Sequence, residues 1–263
     1  MYAPVVLFVY NRLDHTKGVI ESLSNNELAK DTELYVFSDA AKSEKGLEKV
    51  NEVRQYINQY EWHSNFKKVN IVQAEKNKGL AKSVISGVTD VLKQYGKVIV
   101  IEDDLVLSPY FLTYMNEALD YYRDDMQIWS ISGYSFPMRS LRKYPHDVFY
   151  SYRGCSWGWA TWKNRWDNVD WALESMKEFY RNPKLIRKLN SNGNDRFMRL
   201  YRQTKGNGSS WSVRFGAHLV RNNQFTVYPR YSYVQNIGCD ESGVHSKTED
   251  AVKMKVDLTK AIE

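Results

Sequence analysis

The chain has 263 residues, of which 43% are hydrophobic and 26% are charged, and its formal net charge is +6. This is the balance of an ordinary soluble globular protein, and a core of this size needs no disulfide staples. No apolar run approaches the roughly 20 residues that would span a bilayer. Residues 1–10 lack the basic segment and cleavage site of a signal peptide. Cys155 and Cys239 are too few for a disulfide framework and indicate free thiols in a reducing compartment.

The positive net charge favours an anionic small substrate or an anionic membrane face. Nucleic acid is disfavoured as a partner, because the basic residues are scattered and no recognition motif is present. A cytoplasmic protein is therefore expected, with peripheral contact at the inner face of the membrane as a further option.

Strand patterns alternate with helical patterns along the first half of the chain. Strands are predicted over residues 4–11, 33–39, 69–75, 97–104 and 128–135, and helices over residues 14–26, 44–60, 80–95 and 108–122. This alternation is typical of a parallel sheet with helices on both faces. Ligands of such sheets bind at the carboxyl ends of the strands, so the polar residues that follow each strand are candidates for a site.

The second half of the chain differs in composition. Helices are predicted over residues 172–189, 194–204 and 211–223, followed by a strand over residues 225–236 and a polar loop over residues 238–247. No internal repeat and no linker is found, so a single domain over residues 1–263 is expected.

Five of the eight tryptophans lie between residues 157 and 171. Such clusters usually form core, but they also offer flat apolar faces on which sugar rings can stack. Because Trp159, Trp162 and Trp166 fall on one face of a helix, part of the cluster belongs to the core. We predict that Trp157 and Trp159 line a site and that Trp162 and Trp166 are core residues.

The acidic triplet Glu102, Asp103 and Asp104 follows an apolar run at residues 98–101. Acids after a strand are often only a solvated turn or a helix cap. Here Leu105 resumes the apolar pattern at once, and three adjacent carboxylates repel one another unless a cation compensates them. A hard divalent cation binds one or two carboxylates and completes its shell with phosphate oxygens and water. The triplet therefore indicates a site for a cation and a diphosphate leaving group.

The segment EDDLVLSPYFLTYM, residues 102–115, resembles the acidic metal motif of GT-A-fold glycosyltransferases. It is most similar to the EDDL-x-x-(A/S)-P-x-F segment of the N-acetylglucosaminyltransferase that starts complex N-glycans, and of the bacterial sugar transferases grouped with it. Further segments resemble those enzymes in the same order: VVLFVYNR, NKGLAKSVISGV, SWGWATWKNRW and YPRYSYVQNIGCDESGVHS. The resemblance implies an α/β, GT-A-like (Rossmann-like) fold, a mostly parallel sheet flanked by helices, with an acceptor-side C-terminal extension.

The resemblance also implies roles for matching residues. Asp104 and His245 would bind the metal, Mn²⁺ or Mg²⁺, and Glu102 would hold the loop or touch the sugar, which makes it a catalytic candidate. The residues that would bind the nucleotide sugar are Asn11, Arg12, Asp39, Lys78, Gly79, Ser83, Asp103, Trp157, Trp159 and Arg214. Residues 1–135 would form the half that binds the nucleotide sugar, and residues 136–263 the acceptor-binding half with its closing loop.

The catalytic base does not follow directly from the resemblance. An inverting transferase needs a carboxylate near the acceptor hydroxyl to take its proton, and related enzymes often supply it from a Trp-Asp pair at the start of the late helix. This chain has Trp211 and Ser212 there, and serine is no base at neutral pH. The base is therefore expected elsewhere, and the candidates are Asp240, which shares the loop of His245 and ranks first, Asp195 and Glu241.

The function implied is a metal-dependent glycosyltransferase of bacterial surface polysaccharide biosynthesis. It would move a sugar from a nucleotide-diphosphate donor, a UDP-sugar, to a saccharide or lipid-linked saccharide. A sugar-phosphate nucleotidyltransferase is an alternative, but it would carry a Gly-rich phosphate loop where FVYNRLDHTKG contains only Gly18. A catalytically decayed carbohydrate-binding protein is another: Ser212 favours it, and the intact triplet argues against it.

Overall fold

The structure, a computed structural model, describes residues 1–191, 193–206 and 208–238. Its strands are β1 (Val5–Val9), β2 (Glu33–Ser38), β3 (Lys68–Gln73), β4 (Lys97–Glu102), β5 (Leu105–Leu107), β6 (Ile128–Ser132), β7 (Val148–Ser151), β8 (Trp159–Trp162), β9 (Phe225–Pro229) and β10 (Val234–Asn236). Its α-helices are α1 (Leu13–Ser24), α2 (Leu47–Ile57), α3 (Leu80–Tyr95), α4 (Phe111–Tyr121), α5 (Lys163–Trp166), α6 (Met176–Arg181), α7 (Pro183–Asn190), α8 (Arg196–Thr204) and α9 (Trp211–Arg221). None of these helices is long and apolar enough to cross a membrane.

One sheet of eight strands organises the described residues, in the order β3-β2-β1-β4-β8-β6-β9-β7. The strands β1 to β4 are parallel to one another. β8 is antiparallel to both of its neighbours, β4 and β6, so β6 points the same way as β4, and β9 is parallel to β6. Only β8 and β7 run in the opposite direction within this sheet. The prediction of a mostly parallel sheet with flanking helices is confirmed.

The central strands are buried on both faces, which explains their continuous apolar sequence. In β1, Val5 and Leu7 pack in the same cluster as Val19 of α1. The alternate residues of β1 point to the opposite face, where Val6 packs in the same cluster as Val84 of α3. Helices therefore cover both faces of β1, and polar side chains are confined to the strand ends.

The predicted helix over residues 172–189 is interrupted, so α6 and α7 are separate. Pro183 has no backbone N–H to continue α6 and disfavours a helical conformation of the residue before it. Asn182 is extended instead, and its Oδ1 accepts hydrogen bonds from the backbone N–H groups of Lys184 and Leu185 at 3.1 and 3.2 Å. Asn182 and Pro183 therefore mark both the end of α6 and the beginning of α7.

The predicted strand over residues 225–236 is also divided. β9 ends at Pro229 inside the large sheet, and β10 leaves that sheet to pair antiparallel with β5, with Asn236 opposite Leu105. This second, two-stranded sheet brings the end of the described chain next to the acidic triplet.

The tryptophan cluster does not form one helical face, because Trp159 and Trp162 lie in β8 and Trp166 lies in α5. The prediction that Trp162 and Trp166 are core residues is confirmed, since their exposures are 4% and 1%.

Candidate functional site

The acidic triplet forms a tight turn at the carboxyl end of the sheet. Glu102 ends β4, and Asp103 and Asp104 lead directly into β5. The turn is fixed on its far side, because Leu105 is fully buried and the backbone N–H of Ile237 donates to the Asp104 carbonyl at 2.9 Å. Asp103 is only 5% exposed, so the triplet is a held structure and not a solvated loop.

Arg12 binds the triplet from the neighbouring strand. β1 and β4 are adjacent, with Phe8 opposite Glu102, so the residues that follow β1 come to lie beside the acids. Arg12 Nη2 donates to Asp103 Oδ1 and lies 3.1 Å from Asp104 Oδ2. Although burial opposes it, the charges of the two aspartates raise the pKa of Arg12 above its ordinary value. The nucleotide-sugar role of Arg12 stays a prediction, and in this structure its guanidinium pairs with Asp103 and Asp104.

The triplet carries more acid than one guanidinium balances. Burial raises the pKa of Glu102 to about 8, and the charges of Asp104 and Asp103 add to the shift. Burial also raises the pKa of Asp103, against the opposing charge of Arg12. Both shifts have the physical cause expected of crowded carboxyl groups that are withdrawn from water.

Asp39 organises the loop that precedes α3. Its carboxylate accepts hydrogen bonds from the backbone N–H groups of Ala40, Lys78 and Gly79, each at 2.9 Å, and from Asn77 Nδ2 at 3.2 Å. This loop needs glycine at position 79, where φ is +76°. The nucleotide-sugar role of Asp39 stays a prediction, and in this structure both of its oxygens accept hydrogen bonds from this loop.

The remaining predicted nucleotide-binding residues of this half lie at the same end of the sheet. Asn11 is partly exposed just after β1, and the Lys78 side chain is exposed. Ser83 is half-buried in the first turn of α3, where its N–H donates to the Gly79 carbonyl at 3.0 Å. The structure therefore gathers the polar residues that follow β1, β2 and β4.

Sequence reasoning missed two positioning residues. Arg54 of α2 donates to the Ala74 carbonyl at 2.7 Å and to Ser38 Oγ at 3.3 Å, so it joins the ends of β3 and β2. His15, in the first turn of α1, is close enough for its charge to lower the pKa of Asp103. Arg54 looks like any basic residue of an amphipathic helix, whereas the position of His15 just after β1 could have indicated the site.

Gly238 lies directly against the metal-site candidate. A Cβ at this position would stand 2.3 Å from Asp104 Oδ2, so only glycine allows the chain to pass here without displacing the carboxylate. The residues that follow carry Asp240 and Glu241, two predicted candidates for the base, and His245, the predicted second metal ligand. All three lie outside the described residues.

Trp159 does not line the site. Its side chain is 1% exposed and packs between Trp211 and Trp166, with ring centroids 4.7 and 5.6 Å away. The prediction for Trp159 is therefore wrong, because β8 turns this side chain into the core beneath α9. Trp157 is half-buried and lies edge-on to Tyr134 at 4.6 Å, so it retains an accessible surface beside the end of β6.

Arg214 and Asp195 lie in the helical second half. Arg214 Nε donates to Gln203 Oε1 at 3.0 Å and Nη1 to the Trp171 carbonyl at 2.7 Å, which ties α9 to its neighbours. The donor-binding role of Arg214 stays a prediction, and in this structure its Nε and Nη1 bind acceptors within the helical half. Asp195 is exposed at the residue before α8. Among the described residues, neither side chain forms a hydrogen bond or an ion pair with the triplet.

Comparisons with known proteins agree with this arrangement. The model of the family described as Glycosyl transferase family 2 matches residues 5–205. A crystal structure of S. aureus TarS 1-349 is 14% identical with a TM-score of 0.50, and the match covers 90% of this chain and 61% of that chain. A crystal structure of GalNAc-T7 with UDP, GalNAc and Mn²⁺ is 12% identical with a TM-score of 0.53, and it covers 90% of this chain and 44% of that chain.

The chain thus spans less than two thirds of the length of these two proteins. At such identities the likeness shows the fold alone, which is the GT-A fold. None of the curated proteins matches the sequence.

Proposed function

Because the chain belongs to glycosyl transferase family 2, and is a glycosyltransferase that uses a nucleotide sugar, we propose that it is metal-dependent. It transfers a sugar from a UDP-sugar to a saccharide or lipid-linked saccharide, in bacterial surface polysaccharide biosynthesis at the cytoplasmic face of the membrane. The observation that carries the metal dependence is the acid turn at the end of β4, where Asp103 and Asp104 bind the guanidinium of Arg12 and Glu102 lies directly before them.

The residues present suit Mn²⁺ or Mg²⁺. Both cations prefer carboxylate oxygens and complete their shells with phosphate oxygens and water. Asp104 Oδ2 lies 3.1 Å from Arg12 Nη2 and beside Gly238, where a Cβ would stand 2.3 Å from it. Among the described residues no group of three His, Cys, Asp or Glu side chains is arranged to hold a metal ion. The proposed cation would take its remaining ligands from a diphosphate and water. When bound, the cation would neutralise the diphosphate leaving group.

The chain's own residues supply position and charge. Asp104 would hold the cation, with His245 as a second ligand, and Arg12 keeps Asp103 fixed within the turn. The loop pinned by Asp39 would complete the nucleotide side of the site. A crystal structure of GalNAc-T7, which shares the fold, contains UDP and Mn²⁺, and this supports the assignment of the donor.

Asp240 is the proposed general base toward the acceptor hydroxyl. Ser212, which stands where related enzymes often carry the base, pairs its Oγ with Ser210 Oγ at 3.2 Å. Asp195 is exposed at the residue before α8 and caps that helix with no side-chain hydrogen bond. Replacement of Asp240 by Asn is expected to lower kcat strongly, by about 100-fold or more, and to leave the affinity for Mn²⁺ unchanged. Wild-type turnover in this variant would exclude Asp240 as the base.

The metal dependence is tested by calorimetric titration of UDP with and without Mn²⁺. Wild type is expected to bind UDP only with the metal. Asp104→Ala is expected to lower the affinity for UDP in the presence of Mn²⁺ by more than roughly 100-fold. That is the largest loss typical when only a residue that supports a metal ligand is removed. Asp90→Ala is the matched control, because Asp90 lies on the exposed face of α3 and pairs only weakly with Lys93 at 3.5 Å. Equal UDP affinity in all samples, or no affinity in any, would contradict a metal–UDP site at this turn.

A further inference from the structure

Helices α6, α7 and α8 form a layer outside α9. Their apolar sides pack against one side of α9, in a cluster that joins one buried residue from each of the four helices: Phe179, Leu189, Leu200 and Val213. The other side of α9 faces the large sheet, where Phe215 shares a cluster with Trp159 of β8. The polar sides of α6, α7 and α8 are therefore turned outward on this side of the molecule.

These outward sides are basic. Each helix exposes two basic side chains that are three or four residues apart, which is the spacing of one helical face. We call these six residues the basic face: Lys177 and Arg181, Lys184 and Arg187, and Arg199 and Arg202. None of the six forms an ion pair with a carboxylate of the described ranges. Glu178 lies among them in the sequence, but both of its oxygens accept hydrogen bonds from Arg221 of α9, at 2.6 and 2.7 Å.

Most of the positive charge of the chain is concentrated in this layer. Residues 176–206 contain nine basic and two acidic residues, a net charge of +7, whereas the whole chain has a net charge of +6. The remainder of the chain is therefore close to neutral, and the basic residues are less scattered than we expected from the sequence. A surface of one sign attracts partners of the opposite sign.

Exposed apolar side chains lie among these charges. Tyr180 of α6 and Met198 of α8 are 49% and 47% exposed. The ring centroid of Tyr180 lies 6.1 Å from that of Tyr201 in α8, so the basic residues of the two helices border one aromatic surface. Lys205 follows α8, and its Nζ lies 5.7 Å from the centroid of the Tyr201 ring. Tyrosine rings of this kind are enriched where proteins meet lipid headgroups.

The packing of the layer determines how it could bind a membrane. Because the apolar sides of α6, α7 and α8 are already buried against α9, few apolar groups remain that could enter the acyl chains. Attachment must then depend on charge, and each basic residue near an anionic leaflet strengthens binding about fivefold. Six such residues are sufficient for a reversible attachment that leaves the fold intact.

We propose that the basic face docks on a membrane surface that carries anionic phospholipid headgroups. The inference rests on the proposed function for its setting, since a lipid-linked acceptor is presented at such a surface, and it assigns the contact to one side of the molecule. A membrane is favoured over nucleic acid because the sequence contains no nucleic-acid recognition motif.

The first test is flotation of the full chain with lipid vesicles, in the absence of UDP and Mn²⁺. Vesicles of phosphatidylcholine alone are compared with vesicles of equal parts phosphatidylcholine and phosphatidylglycerol. We expect binding only to the vesicles that contain phosphatidylglycerol. The binding should be lost when the salt concentration is raised from about 0.1 M to about 1 M, because the Debye length shortens from about 10 Å to about 3 Å. Equal binding to both vesicles, or binding to neither, would overturn the proposal.

The second test compares two double variants that each remove two positive charges. Lys177→Gln with Lys184→Gln changes the basic face. Lys45→Gln with Lys49→Gln is the matched control, because both lysines are exposed and lie at α2, whose Val53 packs on the opposite face of the large sheet. The affinity for phosphatidylglycerol vesicles is expected to fall about tenfold or more in the first variant and to change little in the control. Equal losses in the two variants would show a general effect of net charge and overturn the proposal.

Two further measurements separate the basic face from the donor site and from other polyanions. Both double variants are expected to bind UDP with Mn²⁺ as wild type does, and loss of UDP binding in Lys177→Gln with Lys184→Gln would place these residues in the donor site and overturn the proposal. If wild type binds no UDP, the metal–UDP assignment fails, and vesicle binding still decides the role of the basic face. A single-stranded oligonucleotide that displaces the wild-type protein from vesicles and binds more tightly than they do would identify nucleic acid as the partner instead.

Discussion

At the end of β4, Asp103 and Asp104 bind the guanidinium of Arg12, whereas no carboxylate among the described residues binds the guanidinium of Arg196 at the start of α8. The carboxyl groups of the acid turn outnumber the guanidinium beside them, whereas burial and the charge of Arg153 lower the pKa of Arg196 to about 10. Structural ion pairs tend to balance their charges, so an imbalance that is held by the fold indicates a ligand of the opposite sign. The excess of acid at the turn is the feature that supports the proposed cation site.

The largest expected effect comes from removing the partner of the acid turn at the end of β4. Arg12→Gln leaves the buried carboxylate of Asp103 without its cation, and breaking a buried pair in this way costs about 3–5 kcal/mol. We expect the free energy of unfolding at pH 7.5, measured by urea denaturation, to fall by about 3 kcal/mol, and added Mn²⁺ to restore part of it. Arg12→Lys keeps the charge and is the control. A loss below about 1 kcal/mol in Arg12→Gln, the value of an exposed pair, would show that the acids do not depend on this partner.

Gly133→Ala tests the close packing directly after β6. A Cβ here would stand 2.6 Å from Phe111 Cε2 and 2.8 Å from Met115 Cε, and both of these side chains are fully buried. Overpacking of this kind typically costs 1–3 kcal/mol, so we expect a loss of about 2 kcal/mol in the same measurement. Gly18→Ala is the control, because nothing lies within 4 Å of its added Cβ, and in the interior of α1 it is expected to gain up to about 1 kcal/mol. Equal effects at the two glycines would contradict the close approach at Gly133.

The second half of the chain also buries the neutral imidazole of His218. Its protonation should change the free energy of unfolding as the pH is lowered. Burial and the charge of Arg221 lower the pKa of His218 to about 4, opposed by Asp170, and neither ring nitrogen has a partner among the described residues. Between pH 6.5 and pH 4 the unfolded chain therefore binds more protons than the folded chain. The contribution of His218 to stability is complete above pH 6.5 and falls as the pH is lowered through this window.

The expected loss from His218 at pH 5, relative to pH 7.5, is about 2 kcal/mol. His218→Leu removes the titrating ring, so urea midpoints at these two pH values should differ less in the variant than in wild type. An identical pH dependence in the two proteins would show that His218 is protonated in the fold or is not buried.

The smallest expected effect has the opposite sign to the first. Arg196→Gln removes a partly buried cation and its repulsion with Arg153, so the free energy of unfolding should be unchanged or should rise by up to about 1 kcal/mol. The same change, Arg to Gln, would then destabilise the acid turn and not the start of α8. A loss of 2 kcal/mol or more, the order expected when a buried ion pair is broken, would show that Arg196 has a structural partner, and the comparison of the two arginines would fail.

The first half of the chain could be predicted well, because the sequence pattern of each element indicates how that element is buried. The apolar runs of β1 and β4 indicated strands covered on both faces, and the abrupt return to Leu105 indicated that the acids were held in place. Both features rest on residues adjacent in the chain, and local periodicity is sufficient to detect them. Asp103 and Asp104 were recognised as site candidates for the same reason.

The second half was predicted less well, because its side chains are directed by distant partners. The spacing of Trp159, Trp162 and Trp166 fits a helix, yet β8 inserts between β4 and β6 and turns Trp159 into the core. Arg214 had the appearance of a free basic residue until α8 and the turn at Trp171 supplied its acceptors. No pattern within a window of ten residues could have revealed either outcome.

The sequence by itself determined the α/β alternation, the acid turn and the direction in which the strands present their polar ends, because these depend on neighbours along the chain. Only the tertiary structure decided that Arg12 binds the triplet, that Asp39 holds the loop at residues 77–79, and that Arg214 binds the Trp171 carbonyl. Each of these pairings joins residues more than 30 positions apart, and strand order and register alone determine which charges become neighbours.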